Sequence, residues 1–204
     1  MATTTPFYGW SVPTSTDLVK DGASAIEILG DSIDASMNTA LGTKKAGMVL
    51  INTTTFSAVA SQSFNNVFSS TYENYYAILR VTASADTAGS LRFRVGGADN
   101  STSNYNRQTL TAASTTVSAT STSSQTSYSL GTVVSTEETF ELFFFRPQLT
   151  SKTVFGFRRW KDTTNEIQIV EGFFNATTVF DGFTLLPTSP QTLSGVVSIY
   201  GYNI

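Results

Sequence analysis

Glu137-Glu-Thr-Phe-Glu-Leu-Phe-Phe-Phe-Arg146 is the stretch that decides the fold. Thr139–Phe145 reads as a strand, because aromatic residues dominate it and it has no helical period. The run Phe143-Phe144-Phe145 suits an inner strand of a β-sandwich, and Phe173-Phe174 repeats the signal downstream. Apolar or alternating runs of the same kind extend in both directions. They occupy 47–51, 56–60, 75–82, 91–95, 128–134, 153–159, 167–173, 182–186 and 195–202. Turn signals separate them at Asp86-Thr-Ala-Gly89, Gly96-Gly97, Lys161-Asp-Thr-Thr-Asn165 and Pro187-Thr-Ser-Pro190. Short strands at this spacing imply a mainly β fold, an antiparallel, jelly-roll-like sandwich over 46–204. One segment resists that reading. In 111–132, 14 of 22 residues are Ser or Thr, a low-complexity stretch read as a surface loop, with a polar strand in a trimeric fibre as the alternative.

Ahead of the strands lies one helix, expected over 24–41, within a helix-and-linker segment at 23–45. Ser24-Ala-Ile-Glu27 has the capping-box spacing, and Gly42 is placed as a C′ residue. Ile26, Leu29, Ile33, Met37 and Ala40 recur with a mean step of about 3.5, the period of a coiled-coil seam. The stripe either packs on the protein's own sheet or forms a short bundle about a three-fold axis. Residues 1–22 read as an extended arm, since Pro6 and Pro13 oppose helix. The arm carries Phe7, Tyr8, Trp10 and Val12, too apolar for a solvated tail. These residues either fold back onto their own domain or insert into a neighbouring subunit or a docking protein.

Composition narrows the chemistry. The 204 residues contain no His and no Cys, so no His-based triad, thiol nucleophile, Cys zinc site or disulfide exists. Thr and Ser together supply 59 residues and charged residues only 13%, a pattern of extracellular or virion β-proteins rather than helical enzymes. A net charge of −3 gives no pull toward nucleic acid. No apolar run is long enough to span a bilayer, and Met1-Ala-Thr-Thr-Thr-Pro6 lacks the basic and apolar parts of a signal peptide. Assembly in a host cytoplasm, with no membrane insertion, is expected.

Three constellations bear on chemistry. Paired carboxylates would suit a glycosidase, and Glu137, Glu138, Glu141, Glu166 and Glu171 are the candidates. Asp99-Asn-Ser-Thr-Ser-Asn104 offers oxygen ligands but lacks a calcium-loop spacing, and an Asx-rich turn explains it. Lys152, Arg158, Arg159 and Lys161 surround Trp160, with Arg146 nearby; edge-strand protection by charge is the plain account. No catalytic residue, metal or cofactor follows. Trp160, Tyr105, Asp99 and Asn104 are the candidate glycan contacts, with Tyr128 beside them.

Thr5-Pro-Phe-Tyr-Gly-Trp-Ser-Val-Pro-Thr-Ser-Thr-Asp17, Val19-Lys-Asp-Gly22 and Ile26-Glu-x-Leu-Gly-Asp-x-Ile-Asp34 resemble the N-terminal segment of small structural proteins of tailed bacteriophages. Met48-Val-Leu-Ile-Asn52, Phe56-Ser-Ala-Val59, Tyr72-Glu-Asn-Tyr75 and Ser198-Ile-Tyr-Gly-Tyr202 extend the resemblance along the chain. It implies a tail fibre, head fibre or minor virion protein that is non-enzymatic, homotrimeric and anchored by its N-terminus to capsid, portal or tail. An outward β-domain for a host cell-surface glycan is the expected use. The alternatives are a capsid decoration protein without receptor function and a surface glycan hydrolase.

Overall fold

The computed structural model describes residues 3–12, 14, 19–41, 47–161 and 165–202. The chain divides into two compact units, Met1–Ala46 and Gly47–Ile204.

In the first unit the arm is not extended throughout. Strands β1 (Thr3–Thr4) and β2 (Ser11–Val12) pair antiparallel, and the turn between them is held by Thr5 N–H donating to Trp10 O and Gly9 N–H donating to Thr5 O. Gly9 takes φ +67° there, a conformation that only glycine adopts freely. Tyr8 stacks on Trp10 at 5.1 Å, and the Trp10 indole N–H donates to Ser36 Oγ at 2.9 Å. The hairpin is thereby pinned to helix α1 (Val19–Leu41). That helix corrects the expected start, because Ser24 and Glu27 lie inside it and cap nothing. No proline interrupts 19–23; Asp21 in the first turn favours the dipole, and Gly22 weakens the turn by only about 1 kcal/mol. Gly42, the expected C′ residue, lies outside the described residues, as does the Ala40 side chain.

The second unit contains β3 (Val49–Val59), β4 (Gln62–Phe64), β5 (Asn74–Ala83), β6 (Thr87–Val95), β7 (Ala98–Asp99), β8 (Tyr105–Ala113), β9 (Thr116–Gln125), β10 (Tyr128–Val133), β11 (Glu138–Phe145), β12 (Val154–Lys161), β13 (Glu166–Phe174), β14 (Gly182–Pro187) and β15 (Leu193–Tyr202). All pairings are antiparallel. Eight strands form one sheet in the order β3-β15-β5-β11-β12-β13-β8-β9. The second sheet has five, β10-β6-β14-β4 with β7 on β6. The two expected strands at 47–51 and 56–60 are one bulged strand, β3.

At 111–132 the loop reading is corrected in favour of the strand alternative: the segment is the end of β8, the whole of β9 and most of β10. Ala113 pairs with Thr116 across the two-residue turn Ser114-Thr115, with Ser114 at φ +52°, the positive value tight hairpin turns require. Thr and Ser satisfy a pleated ladder with their backbones whether or not their side chains are apolar.

Aromatic rings fill the space between the sheets. Phe93 of β6 stacks on Phe180 at 4.5 Å and meets Tyr128, Phe155 and Phe174 edge-on at 5.8–6.3 Å. Phe144 packs on Phe183 across the sheets at 5.0 Å. Strand alternation sends only Phe144 of its triplet, and Phe174 of its pair, into this core; Phe143, Phe145 and Phe173 point the other way. Phe93 is fully buried. Its replacement by Ala should lower unfolding stability by about 3–5 kcal/mol in urea titrations, whereas a loss under about 1 kcal/mol would show that the ring is not central.

Candidate functional site

The outward face of the eight-stranded sheet is not covered by the second sheet. The register places Tyr200, Tyr76 and Phe143 in one row across β15, β5 and β11. The same row continues as Gly156, Glu171, Gln108 and Ser121 across β12, β13, β8 and β9. The next row carries Phe145, Val154, Phe173 and Asn106. Aromatic rings therefore lead to a residue without a side chain, and polar groups lie beyond it.

At Gly156 the missing side chain leaves a hollow of about 300 Å³ between Phe143, Phe145, Val154, Arg158, Ile169 and Glu171. A Cβ at this position would sit 3.0 Å from Val170 O and 3.3 Å from Glu171 Cγ, so any side chain crowds the floor. A second hollow of about 420 Å³ shares Val154 and Glu171 and adds Phe173, Asn106, Gln108, Ser121 and Ser123. Together they make a trough across β11, β12, β13, β8 and β9. Lys152 Nζ lies 5.2 Å from the Phe173 ring centre and the Arg158 guanidinium 5.2 Å from that of Phe143, contacts that hold both rings in place. Arg158 also donates to Glu141 Oε2 at 2.6 Å. Ring faces beside amides, hydroxyls and one carboxylate can take a ligand with an apolar face and a rim of hydroxyl groups.

The expected glycan contacts do not converge. Trp160 is 53% exposed on the outward face of β12, beside Ile167. Tyr105 is 1% exposed; its hydroxyl donates to Asn100 O at 2.6 Å and accepts from Phe93 N–H at 3.1 Å, so its ring presents no stacking face. Burial of the phenol raises its pKa. Tyr128 is equally buried. Asp99 lies in the other sheet, where its carboxylate accepts from Arg94 and, at 2.6 Å, from Thr184 Oγ1. Asn104 donates to Thr102 Oγ1 at 3.1 Å and accepts through its carbonyl from Asn175 N–H at 2.8 Å. Asp99 and Asn104 thus hold their loop. Among the described residues no group of three or more acidic side chains converges on a metal position.

The charged candidates are sorted by the pleat. Glu137 pairs with Arg80 at 3.7 Å and Glu141 with Arg158; they share a face but lie roughly 13 Å apart along the strand, beyond a glycosidase pair. Glu166 faces inward and Glu171 outward. β12 is an interior strand, so its basic residues do not protect an edge. Arg159 is buried with Glu138 at 3.5 Å and Glu166 at 3.9 Å, and it donates to Thr132 O at 2.6 Å. Room for its guanidinium comes from Gly131 (φ +76°), where a Cβ would lie 2.7 Å from Arg159 Nη2.

Sequence reading missed Phe143, Phe145, Phe173 and Gly156. The signal was available in the triplet itself, because three consecutive residues on a strand cannot all face the core.

Burial raises the Glu138 carboxyl above its ordinary value, and the long Arg159 contact and the Val134 N–H at 3.2 Å only partly oppose this. Below the unfolded value of 4.5 the protonated group contributes fully to stability. As pH rises from there through the higher folded value, that contribution is lost. Urea unfolding across this range should show Glu138→Gln gaining stability relative to the parent as pH rises. A relative loss would mean that the Arg159 pair outweighs desolvation. Compared with known proteins, the chain matches no family model, no curated protein and no solved structure.

Proposed function

We propose that this chain is a non-enzymatic structural protomer of a bacteriophage virion, a trimeric fibre or spike subunit. Its N-terminal unit attaches it to the particle, and its β-sandwich offers the outward trough to a host-surface glycan. One observation carries the assembly part of this reading. The N-terminal unit keeps Phe7, Tyr8, Ile26 and Met37 at the surface, with Phe7 93% and Ile26 66% exposed. Large apolar groups concentrated in so small a unit mark an interaction surface. The hairpin packs beside the helix stripe, on Ser36, and leaves Ile26 and Met37 free to meet a partner helix. The resemblance of 5–34 to small virion proteins points the same way.

The trough supports the glycan part. Phe143, Phe145 and Phe173 supply apolar surface, and Asn106, Gln108 and Glu171 supply hydrogen-bonding groups at its rim.

Sedimentation of the full chain at micromolar concentration should give a whole multiple of three 21.9 kDa protomers, and Ile26→Asp/Met37→Asp should abolish that three-fold association without unfolding the sandwich. A parent chain whose mass is not a multiple of three protomers overturns the trimer. On a panel of bacterial envelope glycans, Phe173→Ala should weaken binding about tenfold or more. Equal binding by both chains overturns the trough as the site, and no binding by either favours the decoration protein.

A further inference from the structure

The sandwich has four sheet edges, and three of them carry features that block pairing with another strand. β4 has only three residues. β10 carries an extra residue between Ser129 and Gly131, and β3 carries two such irregularities, opposite Leu193/Gly195 and Ile199/Tyr200. Short or bulged edges are the usual protection against sheet extension.

β9 is different. It is the last strand of the eight-stranded sheet, and among the described residues it pairs only with β8. Its sequence, Thr-Val-Ser-Ala-Thr-Ser-Thr-Ser-Ser-Gln, contains no charge and no proline. Its one irregularity lies at the C-terminal end, between Thr122 and Gln125, where Asn106 Oδ1 accepts from Ser124 N–H at 3.1 Å. Residues 116–122 remain regular. Nine of the ten residues are exposed, so neither face of the strand is covered. One row of backbone N–H and C=O groups therefore stands open along a stretch of high strand propensity.

We infer that β9 pairs with β9 of a second copy of this chain, joining two sandwiches edge to edge through one continuous antiparallel sheet. The strand's neutrality selects this partner. A copy of itself meets no like charge, and a charged partner gains no ion pair from this edge. Thr and Ser opposite one another also form favourable cross-strand pairs. An antiparallel strand pairing with itself lies on a two-fold axis, so each such contact is isologous and joins two copies only. The outward apolar rows run to this edge: Trp160, Ile167, Ala112 and Val117 in one, Ile169, Leu110 and Ala119 in the next. Pairing covers Val117, 67% exposed in the single chain. This contact is independent of the helix stripe, and it stands whether or not the proposed virion role does.

The test uses the full chain carrying Ile26→Asp/Met37→Asp, which removes the helix contact. This protein should sediment at twice 21.9 kDa, and adding Ser118→Lys/Thr120→Lys should halve that mass. Hydrogen exchange on the otherwise unchanged parent gives a second readout: about half of the β9 amides should gain protection as concentration rises. A helix variant that is monomeric at the highest soluble concentration overturns the inference. So does a mass unchanged by the lysines, or β9 exchange that is independent of concentration.

Discussion

An eight-stranded sheet packed against a five-stranded one cannot be covered by it, and the rest of the structure follows from that mismatch. Where the two overlap, inward positions are aromatic: Phe93, Phe144, Phe155, Phe174 and Phe183 interlock with no charged group among them. Where the cover thins toward β8 and β9, the inward positions change character. Glu166, Gln168, Arg107 and Thr111 replace the phenylalanines there, and beyond them β9 faces water on both sides. The Arg159–Glu138 pair lies within this transition, still buried but already polar.

The same mismatch leaves the outward face with its own pattern. A solvated strand face normally alternates to polar residues, yet this one carries Tyr76, Phe143, Phe145, Trp160, Ile167 and Phe173. Those residues stabilise nothing between the sheets, so their presence calls for a role at the surface. The glycine at 156 opens the sheet surface at the point where the aromatic residues give way to amides and a carboxylate. The N-terminal unit carries exposed apolar groups of its own, and the proposed function assigns those to assembly and the sheet face to recognition.

The sandwich was legible wherever hydrophobic contrast was strong. β5, β11, β12 and β15 alternate or run apolar clearly enough to be placed within a residue or two. β9 was not legible, because strands built from Ser and Thr have the composition of a loop; what identifies them is a paired neighbour, which a single sequence does not display. The helix was placed but started late, since Ser24-x-x-Glu27 fits a capping box and fits a helix interior equally well. At the site, Trp160 was found because an aromatic among basic residues is conspicuous. Tyr105 was chosen for its type and loop position, and burial removed it. Phe143 and Phe173 were read as core because phenylalanine usually is; their direction depends on register, which the pairing partners fix.

On the proposed function, the N-terminal unit assembles and the sandwich presents. Cryo-electron microscopy of bacteriophage particles that contain the chain, as the proposal requires, tests this most directly. The expected density places residues 3–41 against other particle proteins, with their helices clustered, and the Phe143–Phe173 face open to solvent. A subunit held by that face, with its N-terminal hairpin projecting outward, would contradict the account, as would purified particles that lack the chain.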